Sequence, residues 1–125
     1  MNIALILAGG TGTRLGADIP KQYIEVNQRP VIAYSMDIFF ANDRIDAVLI
    51  VADEDWHEYI CRHIQKQKKH KFYGFSKPGE NRQLSIWNAL SDLKKYAKED
   101  DLVIIHDAAR PCLSQKLLGA CVDAT

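Results

Sequence analysis

A glycine-rich stretch near the start of the chain has the composition of a phosphate-binding loop. Glycines let backbone N–H groups approach phosphate oxygens closely, because no side chain stands between them. The spacing departs from both common motifs: no lysine is followed by serine or threonine as in a Walker A loop, and Leu15 replaces the third glycine of the dinucleotide fingerprint. A purely structural turn is the alternative. The glycines, which follow an apolar run, are Gly9, Gly10, Gly12 and Gly16.

Two cations accompany these glycines. Arg14 lies within the stretch, and Lys21 follows directly after Pro20. Arginine can bind two phosphate oxygens at once, whereas lysine supplies a compact point charge. Pro20 fixes the backbone in front of Lys21 and helps to aim it. Either cation alone is typical of a solvated surface, but their combination with the glycines favours a polyphosphate site.

A second group of polar residues opens a predicted helix. Arg82, Ser85 and Asn88 follow Gly79 at a spacing of three, which places all three on one helix face. Near a helix N-terminus, such a face can bind a phosphate or the edge of a base. An ordinary capped helix with a polar side is the alternative.

The third group ends the last predicted strand. Ligands of doubly wound sheets lie beyond the carboxyl ends of the strands, where the strand order reverses. Because the fourth strand of such a sheet commonly lies beside the first, Asp107 would face the glycine-rich stretch. Asp107 could hold Mg²⁺ between phosphates there, while Arg110 could bind a second anion. An Asp–Arg pair in a surface turn is the alternative, and His106 is interpreted as a packing residue.

Alternating strands and helices position these groups and predict an α/β fold with a mostly parallel, doubly wound sheet. Asp53 is expected to cap the second helix, and Trp56 and Trp87 are expected to pack in a core or a domain contact. The lysines around Lys69 are expected to form a solvated helix end. The predicted strands are 2–8, 46–52, 71–75 and 102–106, and the predicted helices are 30–41, 54–68, 81–97 and one from Ser114 onward.

Composition narrows the class of protein further. The chain has 125 residues, enough for one domain, and its 16 basic side chains balance its 16 acidic ones, which argues against a nucleic-acid surface. Apolar runs are shorter than the roughly 20 residues of a membrane helix. The three cysteines form no C-x-x-C pair, so neither a disulfide framework nor a zinc site is expected. These features predict a cytoplasmic protein that is not bound to a membrane.

Four motifs together resemble the sugar-alcohol-phosphate cytidylyltransferase family. Each motif alone is moderately specific, whereas four in order at the expected separations, covering the whole chain, are a strong indication. The resemblance implies a Rossmann-like nucleotidyltransferase fold, of which residues 1–125 are the nucleotide-binding part of a domain that continues past the C-terminus. The motifs are Leu7-Ala8-Gly9-Gly10-x-Gly12-x-Arg14, Pro20-Lys21-Gln22-Tyr23, Gly79-x-x-Arg82-x-x-Ser85 and His106-Asp107-Ala108-Ala109-Arg110-Pro111.

The resemblance also implies a reaction and a role for each matching residue. A homodimer would transfer the cytidylyl group of CTP to a polyol phosphate with Mg²⁺ and release pyrophosphate. Arg14 and Lys21 would stabilise phosphate charge as the catalytic residues. Asp107 would bind Mg²⁺ and substrate, and Arg110 would lie toward the polyol phosphate. The implied nucleotide-binding residues are Leu7, Ala8, Gly9, Gly10, Thr11, Gly12, Thr13, Gly79, Arg82 and Ser85.

The acceptor stays open between two branches of this family. The segment 6–14 looks like the ribitol 5-phosphate enzymes, whereas residues 107–111 favour the 2-C-methyl-D-erythritol 4-phosphate enzymes of isoprenoid precursor synthesis. The methylerythritol acceptor is the first choice and the ribitol acceptor the alternative. A non-catalytic nucleotide-binding fragment is a further alternative, and the glycine spacing disfavours a dinucleotide-dependent oxidoreductase.

Overall fold

The computed structural model describes residues 1–9, 20–98 and 100–108. Short 3₁₀ turns at Lys21–Tyr23, Glu54–Trp56 and Lys66–Lys71 connect some of the larger elements. In chain order these are β1 (Asn2–Leu7), β2 (Glu25–Val26), β3 (Arg29–Pro30), α1 (Val31–Ala41), β4 (Ala47–Val51), α2 (His57–Cys61), β5 (Phe72–Ser76), α3 (Arg82–Leu93) and β6 (Leu102–Asp107).

Four strands form one parallel sheet in the order β5-β4-β1-β6. β1 pairs with β4 on one side and with β6 on the other, so that Leu7 lies opposite both Val51 and Asp107. β1 and β4 are uninterrupted apolar runs, as expected for strands that are covered on both faces of a sheet. The prediction of a parallel, doubly wound sheet is therefore confirmed.

The two faces of the sheet carry separate hydrophobic cores. Alternate residues of β1 point to opposite faces: Ile6 packs with Phe39 of α1, whereas Leu5 packs with Leu93 of α3. Burying a side chain as large as Phe39 contributes about 1.5–3 kcal/mol. α1 leads from β1 to β4 on one face of the sheet, and α3 leads from β5 back to β6 on the other face. The strand order of the sheet therefore reverses beside β1.

Two of the predicted helices are confirmed, although the second of them, α3, ends four residues earlier than predicted. α1 begins after Pro30 and ends before Asn42. α3 begins at Arg82 because the Asn81 side chain caps it: the N–H of Leu84 donates to Asn81 Oδ1 at 2.9 Å. The helix ends at Leu93, before the turn that leads to β6.

The predicted helix over 54–68 is wrong in its length. Only His57–Cys61 is α-helical, and 3₁₀ turns flank it on both sides. The segment 65–70 has no apolar side chain to bury, and its lysines repel one another, so nothing stabilises a continued helix there. Asp53 precedes the 3₁₀ turn Glu54–Trp56, and its side chain makes no capping bond, so the predicted helix cap is wrong too.

Lys71 is buried and does not belong to a solvated helix end. Its Nζ donates to the carbonyl oxygens of Phe40 and Asn42 at 3.3 and 2.9 Å, at the C-terminus of α1. A cation at that position also interacts favourably with the helix dipole. Lys71 therefore stabilises the end of α1, 29 to 31 residues earlier in the chain.

One face of α3 is buried, and Trp87 lies outside that face. Ile86, Ala89 and Leu93 pack against the sheet, whereas Trp87 is 65% exposed. Trp87 therefore does not pack in a core of the described residues, and its role in a domain contact stays a prediction. Trp56 does pack, with its ring stacked on Tyr23. None of the helices in the described ranges combines the length and apolarity that crossing a bilayer requires.

Candidate nucleotide site

A cavity of about 220 Å³ opens where the strand order of the sheet reverses, beside the carboxyl ends of β1 and β6. This is the position at which doubly wound sheets bind their ligands. Three sequence-predicted groups meet there, one after β1, one at the start of α3 and one at the end of β6. The lining residues are Leu7, Gly9, Gly79, Glu80, Asn81, Arg82, Ser85 and Asp107.

Arg82 and Asp107 supply opposite charges to this cavity. Arg82 Nε lies 4.0 Å from Asp107 Oδ2, and the two side chains are 60% and 41% exposed. An ion pair this open to water is worth about 0–1 kcal/mol. Both groups can therefore exchange their contact for a phosphate or a cation at little cost.

Hydrogen bonds hold the turn that forms the opposite wall. The N–H of Gly79 donates to Ser85 Oγ at 2.9 Å, and Asn88 Nδ2 donates to the carbonyl of Lys77 at 2.9 Å. Ser85 is buried and lines the cavity. Asn88, which was grouped with Arg82 and Ser85 as a ligand-reading residue, is instead engaged in holding the turn.

Two glycines are required sterically where these elements touch. A Cβ on Gly9 would lie 2.8 Å from Pro78 Cβ, and one on Gly79 would lie 2.3 Å from Leu84 Cβ. Real Cβ atoms do not make contacts below 3.0 Å. The backbone of Gly9 therefore lies directly against the turn that carries Gly79, and both are bare of side chains at the cavity.

The other sequence-predicted site residues that the structure describes do not line this cavity. Lys21 is exposed in its 3₁₀ turn and is not among the residues that line the cavity. Ala8 follows Leu7 and is buried. Residues Gly10, Thr11, Gly12, Thr13, Arg14 and Arg110 lie outside the described residues, so their roles stay predictions.

A larger cavity of about 790 Å³ lies beside the ends of β4 and β5. Asp53, Glu54 and Asp55 all line it, and Lys77 is the cation among the described lining residues. Three carboxylates repel a polyphosphate, since like charges at close range are unfavourable. The smaller cavity, with two carboxylates, an arginine and a bare backbone, is therefore the better candidate for a nucleotide.

Sequence reasoning missed several residues around the site. Glu80 and Asn81 line the cavity, although they were assigned no role. His106 is a packing residue as predicted, with its ring edge-on to Phe39, but its Nε2 also lies 3.2 Å from Ser35 Oγ, a contact that was not predicted. An Asn immediately before a helix is a recognisable cap signal, whereas the contact of His106 with Ser35 spans 71 residues and leaves no local signal.

Asp107 can serve as part of a metal site. In the part of the chain that the structure describes, no three His, Cys, Asp or Glu side chains converge as a metal cluster. Magnesium that is bound with a nucleotide needs only one or two carboxylates, because phosphates and water supply the other ligands. The two carboxylates that line the cavity, Asp107 and Glu80, fit that type of site and do not fit an all-protein metal cage.

The sequence of this chain is similar to those of two kinds of curated cytidylyltransferase. The 2-C-methyl-D-erythritol 4-phosphate cytidylyltransferase of Lachnospira eligens is 36% identical over 97% of this chain and 52% of its own length. A ribitol-5-phosphate cytidylyltransferase of Streptococcus agalactiae is also 36% identical, over 96% of this chain and 51% of its own. The chain thus spans about half the length of these curated relatives.

Solved structures and a family profile agree with the sequence relatives. The crystal structure of 4-diphosphocytidyl-2C-methyl-D-erythritol synthase from Anaerococcus prevotii superposes with a TM-score of 0.77 at 26% identity, covering 99% of this chain and 50% of the other. The profile of the family IspD, 2-C-methyl-D-erythritol 4-phosphate cytidylyltransferase, matches residues 2–125. The resemblance and the Rossmann-like nucleotidyltransferase fold are both confirmed. With the glycine turn, the capped α3 and the end of β6 gathered at one cavity, this chain belongs to the IspD cytidylyltransferase family.

Proposed function

We propose that this chain binds CTP and takes part in transferring its cytidylyl group to a polyol phosphate, with release of pyrophosphate. The observation that carries the proposal is the meeting of Arg82 and Asp107, from two different elements, at a cavity that Gly9 and Gly79 keep free of side chains. The family and the names of the relatives support the reaction type. Residues 1–125 would be the nucleotide-binding part of the enzyme.

The reaction depends on alignment and charge neutralisation. A phosphate monoester is already anionic near neutral pH, so one of its oxygens can attack the α-phosphorus of CTP without a general base. A bond forms between that oxygen and the α-phosphorus, the bond from the α-phosphorus to the bridging oxygen breaks, and pyrophosphate leaves. The protein has to hold the two phosphates in line and balance their charge.

The residues of this chain divide that work. Gly79 and Ser85 would lie by the cytosine, with Arg82 supporting their turn. Arg14 and Lys21 would stabilise charge on the phosphates. The backbone donors that would cradle CTP run from Leu7 and Ala8 through Gly9, Gly10, Thr11, Gly12 and Thr13.

Asp107 would hold Mg²⁺, which would neutralise phosphate charge when bound. The carboxylate suits this role because it faces the cavity, is 41% exposed and is paired with Arg82 at the long distance of 4.0 Å. Arg110 would lie toward the polyol phosphate. The first-choice acceptor is 2-C-methyl-D-erythritol 4-phosphate, because relatives with that name reach 40% identity. Ribitol 5-phosphate is the alternative, because relatives with that name reach 36% identity.

We also infer that the whole protein is a homodimer, as the resemblance implies, and that it is cytoplasmic, as the composition predicts. The free thiol of Cys61 agrees with a reducing compartment. Size-exclusion chromatography with light scattering tests the dimer.

A panel of pyrophosphate-release assays tests the proposed reaction. Each nucleoside triphosphate is paired with methylerythritol phosphate, ribitol phosphate and a sugar 1-phosphate. Release with CTP and one polyol phosphate is expected, and Asp107→Asn should lower it about 100-fold, because charge neutralisation at the phosphates is worth several kcal/mol. Asp55→Asn, which changes an exposed carboxylate of the larger cavity, is the matched control.

The outcomes of the panel separate the alternatives. Binding of CTP without pyrophosphate release for any acceptor would favour the alternative hypothesis of a non-catalytic nucleotide-binding fragment. Release with a different triphosphate would overturn the cytidine assignment. Release with ribitol phosphate alone would move the chain to the ribitol branch.

A further inference from the structure

Two side chains after Lys21 tie its turn to the end of β1. Gln22 Nε2 donates to the carbonyl oxygen of Ala8 at 2.9 Å, and the hydroxyl of Tyr23 donates to the same oxygen at 3.3 Å. Ala8 is itself fixed to the sheet, because its N–H donates to the carbonyl of Val51 at 2.7 Å. Hydrogen bonds to the Ala8 carbonyl therefore link the Lys21 turn to the central strands of the sheet.

These two side chains are buried, unlike the lysine beside them. Gln22 and Tyr23 are 6% and 3% exposed, whereas Lys21 is open to solvent. A buried amide and hydroxyl are expensive to leave without partners, so both are strongly held to the Ala8 carbonyl. Their geometry specifies where the backbone of Lys21 lies and leaves its ammonium group free to reach outward.

Aromatic packing fixes the ring of Tyr23. Its ring stacks on Trp56 with centroids 3.9 Å apart and planes at 11°, and it meets Tyr59 edge-on at 6.3 Å. Burial, and then the charge of Asp53, raise the pKa of Tyr23 well above its usual range. The hydroxyl therefore keeps its proton, and can donate to Ala8, at every pH used in an activity assay.

The backbone of the turn is held as well. The N–H of Tyr23 donates to the carbonyl of Pro20 at 3.0 Å, and the N–H of Ile24 donates to the carbonyl of Lys21 at 3.2 Å. Pro20 has a restricted φ. Lys21 thus lies in a segment that is closed by backbone bonds on one side and clamped to β1 by Gln22 and Tyr23 on the other.

We propose that Gln22 and Tyr23 are positioning residues, which align Lys21 with the end of β1 by clamping the Ala8 carbonyl. The proposal rests on the proposed function, in which Lys21 stabilises charge on the CTP phosphates beside that strand end. Charge stabilisation falls steeply when a cation is misplaced, and an error of about 1 Å can cost about 100-fold in rate. Neither side chain touches substrate in this proposal; each acts through Lys21.

Variants that remove a donor while keeping its shape test the clamp. Gln22→Met should lower kcat about 10- to 100-fold with little change in KM for CTP, and Tyr23→Phe, which removes the longer bond, should lower it less. Tyr34→Phe is the matched control, because it removes a tyrosine-to-carbonyl bond of the same type, from Tyr34 to the Val26 carbonyl. It should leave kcat unchanged.

A double-mutant cycle with Lys21→Ala separates positioning from general structural support. If Gln22 acts through Lys21, Gln22→Met should have almost no further effect on kcat once Lys21 is alanine, because the group to be positioned is gone. Effects that multiply in the double variant would overturn the proposal. Equal activity of Gln22→Met and the unaltered protein would also overturn it, while leaving the proposed function intact.

A binding readout keeps the test independent of turnover. CTP should protect the Lys21 amine from acetic anhydride in the unaltered protein, and this protection should fall in Gln22→Met, with thermal denaturation run alongside to verify folding. Protection that is equal in both proteins would contradict the proposal. No protection and no turnover in the unaltered protein would overturn both the positioning role and the proposed function.

Discussion

Replacing Gly9 by alanine tests how the fold and the nucleotide site are joined. The new Cβ would lie 2.8 Å from Pro78 Cβ, 3.3 Å from Pro78 Cγ and 3.6 Å from Ser85 Oγ. For ordinary contact, the first of these distances has to grow to at least 3.4 Å. A proline ring cannot rotate away as a flexible side chain can, so the turn itself has to move.

The expected cost follows from this geometry. Crowding a well-packed contact with one methyl group typically costs about 1–3 kcal/mol, and we expect Gly9→Ala to lower the free energy of unfolding by that amount. Moving Pro78 also disturbs the neighbouring bond from the Gly79 N–H to Ser85 Oγ, which forms a wall of the cavity. We therefore expect CTP to bind about tenfold more weakly, which corresponds to about 1.4 kcal/mol.

Urea unfolding and calorimetric titration with CTP measure the two effects separately. Gly74→Ala is the matched control, because Gly74 has φ +115° in β5 with no atom near its missing Cβ. That variant should lose about 1 kcal/mol or more of stability through backbone strain, with CTP affinity unchanged. If Gly9→Ala were as stable as the unaltered protein and bound CTP equally well, the close approach of Gly9 to the turn would not form the site.

Further predictions concern stability and the cavity wall. Lys71→Met should cost about 2–4 kcal/mol, because one buried and one half-buried carbonyl group lose a charged donor, whereas Lys69→Met at an exposed position should cost almost nothing in the same urea titration. Burial, followed by the charge of Arg29, lowers the pKa of His63 below its ordinary 6.5. The unfolded chain therefore binds more protons just below pH 6.5, the free energy of unfolding falls as the pH drops through that window, and His63→Gln should flatten this pH dependence. Ser85→Ala should weaken CTP binding about tenfold with a smaller effect on Tm; an unchanged affinity would remove Ser85 from the site.

The sheet could be predicted from the sequence because its strands are written as local patterns. β1 and β4 are apolar runs that end in glycine or a charged residue, and such runs indicate strands buried on both faces. The short β2–β3 hairpin was missed. Its turn uses Asn27 and Gln28, with φ of 54° and 69°, in place of the Asn-Gly pair that normally signals such a turn.

The candidate site was predicted in part for the same reason. Gly9, Gly79 and Asp107 follow strands or open helices, and the topology of a doubly wound sheet brings such positions together. The clamp of Gln22 on Ala8 and the cap of Lys71 on α1 could not be predicted, because each joins residues far apart in the sequence. The exposure of Trp87 could not be predicted because apolar residues lie on both sides of α3, and only packing against the sheet decides which side is buried.

We propose that CTP binds beside β1, where the strand order of the sheet reverses. An amide ¹H–¹⁵N correlation spectrum of the 125-residue chain, recorded during a titration with CTP and Mg²⁺, tests this binding position. The signals of Gly9, Gly79 and Asp107 should shift together, and UTP should move them less at equal concentration. Shifts confined to Asp53 and its neighbours in the larger cavity, or no shifts with CTP, would contradict it.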